Sequence, residues 1–359
     1  MDKVLFSWYC PLVRVLLLGC GNIGRYIYAM LSKHEVVAVD KAGGCPGALS
    51  QDALEVPLGG YDLVINALPG AISFKASKRA LEAGLDVIDV SFYPEDPFAL
   101  HEVAAKAGAR YIPDAGVAPG LSNMLAGRAV AELGDVDELG IYVGGIPERP
   151  VGPLGYSVTW SPVDLIEEYT RPARVLKDGV VTAVDPLSEV ETVPSPVGTL
   201  EAFYSDGLRT LLKTLAGRAK TMYEKTLRWP SHVEKMRLLR ELGFLSDQGD
   251  PPPRFITAKL LSRLKFDVPD LVYLKVVAAK GEKRVQYETL VKPRGGWTAM
   301  QIATGSVAVA MQYVIKDLDP GVTPPEYIGM STKLFPRVIS AIKQQGVRIA
   351  QEVVTRTEL

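Results

Sequence analysis

Short apolar runs of β character alternate with amphipathic stretches through the first third of the chain. Val13 to Leu18, apolar but for Arg14, closes on Gly19, Gly21 and Gly24, and the helix-forming stretch Arg25 to Leu31 follows. A second apolar run, Val36 to Val39, ends in Asp40. Tyr61 to Ile65 predicts a strand ending in Asn66-Ala67-Leu68-Pro69-Gly70, with a helix from about Phe74 to Ala83. Asp86 to Val90 predicts the next strand, ending in Ser91-Phe92. A helix from about Pro97 to Ala107 then leads to Arg110 to Ile112 and the turn-rich Pro113 to Gly120. Strands and helices joined by short connections predict a doubly wound parallel sheet, an α/β fold. Only Ala42 to Leu58, rich in Gly and Pro, resists assignment.

From Leu139 the periodicity changes. Leu139 to Gly144, Gly155 to Trp160, Ala173 to Leu176 and Leu271 to Ala278 read as strands. Helices fall at roughly Pro162 to Glu168 and Glu234 to Leu242. This predicts a second, α+β domain with a mixed sheet. Trp297 to Ile315 and Lys333 to Gln344 read as helices on either side of a Pro-rich break, and Asp250 to Pro253 as an exposed connection.

The glycine segment carries the most specific chemistry. Gly19 suits a tight turn, Gly21 lets a pyrophosphate approach the backbone, and Gly24 lets helix and strand pack closely. The N-terminus of the helix that follows, with Asn22 and Ile23 leading into it, offers unpaired N–H groups and a partial positive charge to phosphate. Asp40 stands about twenty residues after the first glycine, where a carboxylate accepts from a ribose diol and repels a 2′-phosphate. The pattern predicts NAD as cofactor, with Lys41 able to soften the preference over NADP. Ligands of such sheets bind beyond the carboxyl ends of the strands. That rule adds Asn66, Ala67, Leu68, Pro69, Ser91, Phe92 and the segment Asp114 to Ala118, including Gly116, to the cofactor cleft.

Composition narrows the class. With 359 residues the chain suggests two domains; 47% hydrophobic and 23% charged residues fit an ordinary soluble globular protein. A net charge of −1 gives no electrostatic reason to expect nucleic acid or anionic membrane as partner. Cys10, Cys20 and Cys45 lack metal-ligand spacing, and no His/Cys/Asp set supplies one. We therefore expect reduced cysteines, a cytoplasmic location and no metal. The apolar stretch after Lys3 is broken by Pro11 and Arg14 and reads as an extension plus strand, not an export signal. Asparagine occurs only at 22, 66 and 123. That scarcity fits a thermophilic source, and all three positions fall in the expected cofactor loops.

Asp114 to Asn123 joins a carboxylate to a Pro-Gly opening onto a helix over Leu121 to Val130. It reads equally as a cleft loop or an interdomain connection. Downstream, Tyr169 to Arg174, Tyr204 to Arg209 and Thr226 to His232 gather Arg, Tyr, Trp and His. Arg171, Arg209 and Arg228 could each grip a substrate carboxylate bidentately, with Tyr169 beside them. Asp114 and His232 are the candidates for the proton-accepting base.

On Gly19 to Gly24, Asn66 to Gly70, Asp89 to Phe92 and Asp114 to Asn123 the chain resembles the saccharopine dehydrogenase-like group. The likeness continues through Tyr142 to Pro147, Thr159 to Pro162, Asp164 to Val175, Asp185 to Glu189, Ser205 to Arg209, Thr226 to Pro230 and Pro324 to Glu326. Within that group the motifs are most similar to lysine 6-dehydrogenases. Two departures stand out: Ala42 to Leu58 looks shortened, and Ser231 stands where the pattern has Gly. The resemblance implies NAD-dependent oxidation of the ε-amine of L-lysine to the 6-semialdehyde, which cyclises to piperideine-6-carboxylate, with loss of ammonia. It implies a Rossmann domain over 12–125 completed by C-terminal helices 325–359. It also implies a substrate-binding and dimerisation domain over 126–324, hence a homodimer. The alternatives are a saccharopine-type enzyme acting on an N-linked dicarboxylate and a non-catalytic NAD-binding protein.

Overall fold

The computed structural model describes residues 13–158 and 161–355. Cys10, the segment before it and Trp160 lie outside the described residues. In chain order the first elements are β1 (Arg14–Leu18), α1 (Asn22–Met30), β2 (Glu35–Val39), β3 (Leu63–Asn66), α2 (Gly70–Glu82), β4 (Asp86–Asp89), α3 (His101–Lys106) and β5 (Arg110–Ile112). Then come α4 (Leu121–Leu133), β6 (Val136–Pro147), α5 (Pro162–Thr170), β7 (Ala173–Lys177), β8 (Val180–Val184), β9 (Glu191–Ser195), β10 (Gly198–Ser205), α6 (Leu211–Thr214), β11 (Ala219–Arg228), α7 (His232–Glu241) and α8 (Pro253–Leu261). The chain closes with β12 (Asp270–Lys280), β13 (Lys283–Val291), α9 (Ala299–Met311), β14 (Gly321–Val322), α10 (Pro325–Met330), α11 (Leu334–Gln344) and β15 (Ala350–Thr355).

Two compact units result. The first holds residues 13–115 together with 305–324 and 337–341. Its parallel sheet runs β14-β5-β4-β3-β1-β2, the reversal at β1 and β3 being that of a doubly wound fold. The four residues Val15 to Leu18 are all buried, as are all four of β3 and of β4, which is why these strands read as unbroken apolar runs. Leu16, Leu18, Val64, Val87 and Tyr111 pack with Ala76, Ala80 and Leu81 of α2 into the core of this unit.

The second unit holds 116–304, 325–336 and 342–355. Its mixed sheet runs β15-β13-β12-β6-β11-β10-β9, with the β7–β8 hairpin joined to β11. β11 lies parallel to β6 and antiparallel to β10. Tyr169, Phe203, Leu227, Trp229 and Tyr273 are buried in its main core.

Several expectations are corrected here. The first sheet gains β14 on its edge, alongside β5, and draws only 305–324 and 337–341 from the C-terminal part. Residues 350–355, expected among helices completing the first domain, form a strand paired with β13 in the second sheet. Gly155 to Val158 carries no strand, because its backbone is not laddered onto any neighbour in register. Among the described residues no helix is long and apolar enough to cross a membrane.

Candidate functional site

The strand ends of the first unit build a candidate cofactor site. Gly19 has φ +92°, and a Cβ there would sit 2.6 Å from the carbonyl oxygen of Ala67. A Cβ on Gly24 would come within 2.1 Å of the Gly19 oxygen. Gly21 is different: a Cβ there meets no atom within 4 Å. Two glycines are thus demanded by packing, and the third opens onto empty space at the start of α1. Gly21 is also the N-cap, so no side chain caps that end. Gly21 and Asn22 are exposed and Ile23 half-buried, leaving the first-turn N–H groups accessible from the Gly21 side. That geometry fits a pyrophosphate.

Asp40 holds the turn from below. Its Oδ2 accepts from the backbone N–H of Cys20 at 2.7 Å and its Oδ1 from that of Ala42 at 2.8 Å. Lys41 points to Asp52, 2.9 Å away. Cys20 and Cys45 form a disulfide, which corrects the expectation of reduced thiols for this pair.

Asn66 does not reach toward a ligand. It is fully buried, with Nδ2 donating among Ser73, Ser77 and Asp89 at 2.9 to 3.2 Å and Oδ1 accepting from the Leu68 N–H. Its role is to hold the Ala67-Leu68-Pro69 loop, which corrects its placement as a direct cofactor contact. Asp89, which sequence reasoning left out of the site, is the hub of this network. It accepts from Ser77 Oγ at 2.6 Å, the Ser91 N–H at 2.8 Å and Tyr111 Oη at 3.2 Å. Burial pushes its carboxyl pKa up, while these donors pull it back. Ser91 Oγ donates to the Leu68 oxygen at 2.7 Å, and a Cβ on Gly70 would meet the Phe92 oxygen at 2.0 Å, so the two loops abut. Phe92 itself is exposed. Asp114 follows β5 at the same carboxyl edge, buried and at φ +52°.

Gly116, Ala118 and Asn123 belong to the second unit. Asn123 is fully buried; its Oδ1 accepts from Ser122 Oγ at 2.9 Å and its Nδ2 donates to Thr210 Oγ1 at 3.4 Å. It pins the start of α4, so it too is a positioning residue.

The second unit brings Tyr169, Arg228 and His232 together from α5, β11 and α7. Tyr169 stacks on Phe203 with ring centroids 5.3 Å apart, and its hydroxyl lies 2.8 Å from His232 Nε2. His232 Nδ1 lies 2.9 Å from the Leu154 carbonyl, so Nδ1 carries the proton and Nε2 accepts from Tyr169. Burial, reinforced by the charge of Arg228, pushes the His232 pKa down to about 3. A neutral imidazole with both nitrogens engaged is no general base, and that correction follows from its position in the core. Burial also drives the Tyr169 hydroxyl far above its ordinary pKa.

Arg228 is 3% exposed, lies 4.5 Å over the Tyr156 ring and pairs with Glu168 through Nη2 at 2.6 Å. Its Nε is buried without a hydrogen-bond acceptor. Glu168 escaped sequence reasoning, although it adjoins Tyr169; the one-residue offset along α5 gave no sign that it would meet β11. Arg171 instead pairs with Glu167, one helical turn back, at 3.4 Å. Arg209 sits at φ +51° in the turn after β10, mostly buried. Glu201 reaches the N-terminus of α7, accepting from the Ser231 N–H at 3.1 Å and also from that of Val233. Ser231 adopts φ +72°, which explains why a glycine suits the position.

The profile of the saccharopine dehydrogenase C-terminal domain matches residues 116–347, starting at the first residue of the second unit. The chain belongs to this family. Saccharopine dehydrogenase (NADP+, L-glutamate-forming) of Saccharomyces cerevisiae is 26% identical over 265 residues, spanning 66% of this chain and 59% of that one. The mitochondrial alpha-aminoadipic semialdehyde synthase of Mus musculus is 28% identical over 283 residues, 70% of this chain and 31% of that one. The chain thus spans little more than half the length of the fungal relative. The structure of apo saccharopine dehydrogenase (L-Glu forming) from Saccharomyces cerevisiae superposes with a TM-score of 0.74 at 18% identity, covering 96% of this chain and all of the other. The family member described here therefore shares that fold, a parallel Rossmann sheet with a mixed-sheet second unit.

Proposed function

We propose that the protein is a nicotinamide-dependent dehydrogenase of lysine metabolism that oxidises the ε-amine of L-lysine with NAD and releases ammonia. The observation that carries the cofactor half is the open face of Gly21 at the uncapped start of α1, with Asp40 fixed beneath it. NAD is favoured over NADP because Asp40 presents a carboxylate where a 2′-phosphate would lie and Lys41 is drawn away to Asp52. When bound, the nicotinamide supplies the hydride acceptor. The protein's share is to bind, orient and deprotonate the amine.

Hydride leaves a carbon only when its nitrogen has a free lone pair. Deprotonating a lysine-like ammonium of pKa about 10.4 costs about 4.6 kcal/mol at pH 7. With His232 withdrawn into the core, Asp114 remains the base we propose, since it is a buried carboxylate at the carboxyl edge of the sheet. It would take the amine proton and later assist attack of water on the iminium. Within the second unit, Arg228 and Glu168 are the charged pair suited to the α-carboxylate and α-ammonium of an amino acid. Tyr169 and His232 would hold the pair in place.

Lysine is preferred to saccharopine on charge. The saccharopine amine carries a dicarboxylate arm that calls for further cations. Besides Arg228, the guanidiniums of Arg171, Arg174 and Arg254 are each already matched to an acid: Glu167, Asp206 and Asp247. The saccharopine reading is favoured in turn by the names of the relatives, which are NADP-linked in yeast. Absorbance at 340 nm with NAD or NADP and lysine, saccharopine or ornithine separates them. NADH and ammonia formed with lysine alone support the proposal. Turnover of saccharopine alone overturns it in favour of the second reading. NAD binding with no turnover of any amine would leave a non-catalytic binder. Light scattering of the same sample tests the expected homodimer.

A further inference from the structure

The disulfide joins the two sides of the nucleotide-binding turn. Cys20 stands between Gly19 and Gly21, and Cys45 lies in the loop after β2, 25 residues on, with Cα atoms 5.7 Å apart. Both are buried, at 1% and 8% exposure. The loop they close also folds onto the phosphate turn by other contacts. A Cβ on Gly44 would stand 2.3 Å from the Cys20 oxygen, and Tyr28 Oη donates to the Pro46 oxygen at 3.0 Å. Leu49 donates to the Ala38 oxygen at 2.8 Å and accepts from the Asp40 N–H at 3.1 Å. Asp40 is held between these anchors, and its Oδ2 accepts from the N–H of Cys20 itself.

We propose that the Cys20–Cys45 disulfide is a positioning element of the cofactor site, clamping the loop after β2 onto the glycine turn so that Asp40 is preset for the ribose and dinucleotide affinity depends on the redox state of the pair. The proposal rests on reading this turn as a dinucleotide site. Between β2 and β3 the chain forms no helix or strand, so a covalent tie there takes the place of secondary structure. Rigidity matters because ordering a loop on binding subtracts from affinity. Reduction is a two-electron step. A dithiol donates two electrons and two protons, leaving Cys20 and Cys45 as thiols and itself becoming a cyclic disulfide.

The test measures NAD and nicotinamide mononucleotide binding calorimetrically for the full chain, air-oxidised and after dithiothreitol, alongside Cys45→Ser. Alkylation under denaturing conditions counts thiols in each sample. We expect one thiol before reduction and three after. Reduced protein and Cys45→Ser should both bind NAD about tenfold more weakly, a loss of ~1.4 kcal/mol. Affinity for the mononucleotide should not change, and dithiothreitol should have no further effect on Cys45→Ser. A disulfide that only stabilises the fold would lower Tm and leave NAD affinity alone, and that result overturns the proposal. Three thiols in the oxidised sample also overturn it. If Cys45→Ser does not fold, the reduced wild-type protein decides. Failure of the oxidised protein to bind any dinucleotide sinks both this proposal and the cofactor reading, whereas binding without amine turnover affects only the substrate reading.

Discussion

The hydroxyl of Tyr169 lies 2.8 Å from Nε2 of His232, and that contact takes the histidine out of acid–base chemistry. His232 was attractive in the sequence because it follows Arg228 and Trp229. In the fold it is a neutral, buried acceptor whose other nitrogen is tied to the Leu154 carbonyl.

This predicts an acid-sensitive fold. The folded pKa is depressed to about 3 from an ordinary 6.5. The unfolded chain therefore binds the proton first, and stability falls as pH drops below about 6.5. Between pH 7 and 5 the contribution is about 2 kcal/mol at 1.36 kcal/mol per unit. Urea midpoints of wild type and His232→Gln at the two pH values should diverge by that amount. Parallel pH profiles would refute the assignment.

Arg228 and Glu168 form a partly enclosed pair, so removing one partner strands the other. Arg228→Ala should destabilise by about 3 kcal/mol. In whatever protein remains folded it should raise the amine KM steeply, while NAD affinity stays within about twofold. Glu168→Gln should cost less stability and still weaken the amine. Thermal unfolding together with NAD and amine titrations reads all three, and an unaltered amine KM in both variants would remove the pair from the substrate site.

The three glycines of the turn should separate by mutation. Gly21→Ala has room for its methyl at an ordinary φ of −71°, so Tm should hold while NAD affinity drops. Gly24→Ala drives its methyl into the Gly19 carbonyl and should lose both stability and binding. Equal effects of the two changes on Tm would contradict the packing described here.

Ser231 occupies a left-handed conformation that costs a side chain roughly 1–2 kcal/mol. Ser231→Gly should stabilise the protein by up to about 1 kcal/mol once the greater freedom of unfolded glycine is offset. A calorimetric scan measures it; a lower Tm would mean that the serine side chain makes a compensating bond.

The sequence by itself determined the strand ends of the first unit that carry Gly19, Asp40, Ser91 and Asp114, but not the return of 305–324 and 337–341 to that unit. Parallel strands buried on both faces leave apolar runs, and the turns between them leave glycines, so the information is local. The second unit was less legible. Its β7–β8 hairpin had a signal at Asp178-Gly179, both at positive φ. The long strand β11, however, carries Lys, Glu and Thr among its apolar residues, and its pairing with β6, β10 and β7 makes it a strand. Tertiary structure alone decided what the polar residues do. Asn66 and Asn123 turned inward, Asp89 became a hub, His232 lost its basicity and Glu168 met Arg228 across 60 residues of chain. Those outcomes depend on which donor ends up opposite which acceptor once water is excluded. No spacing along one chain encodes that, because each partner lies on a different element.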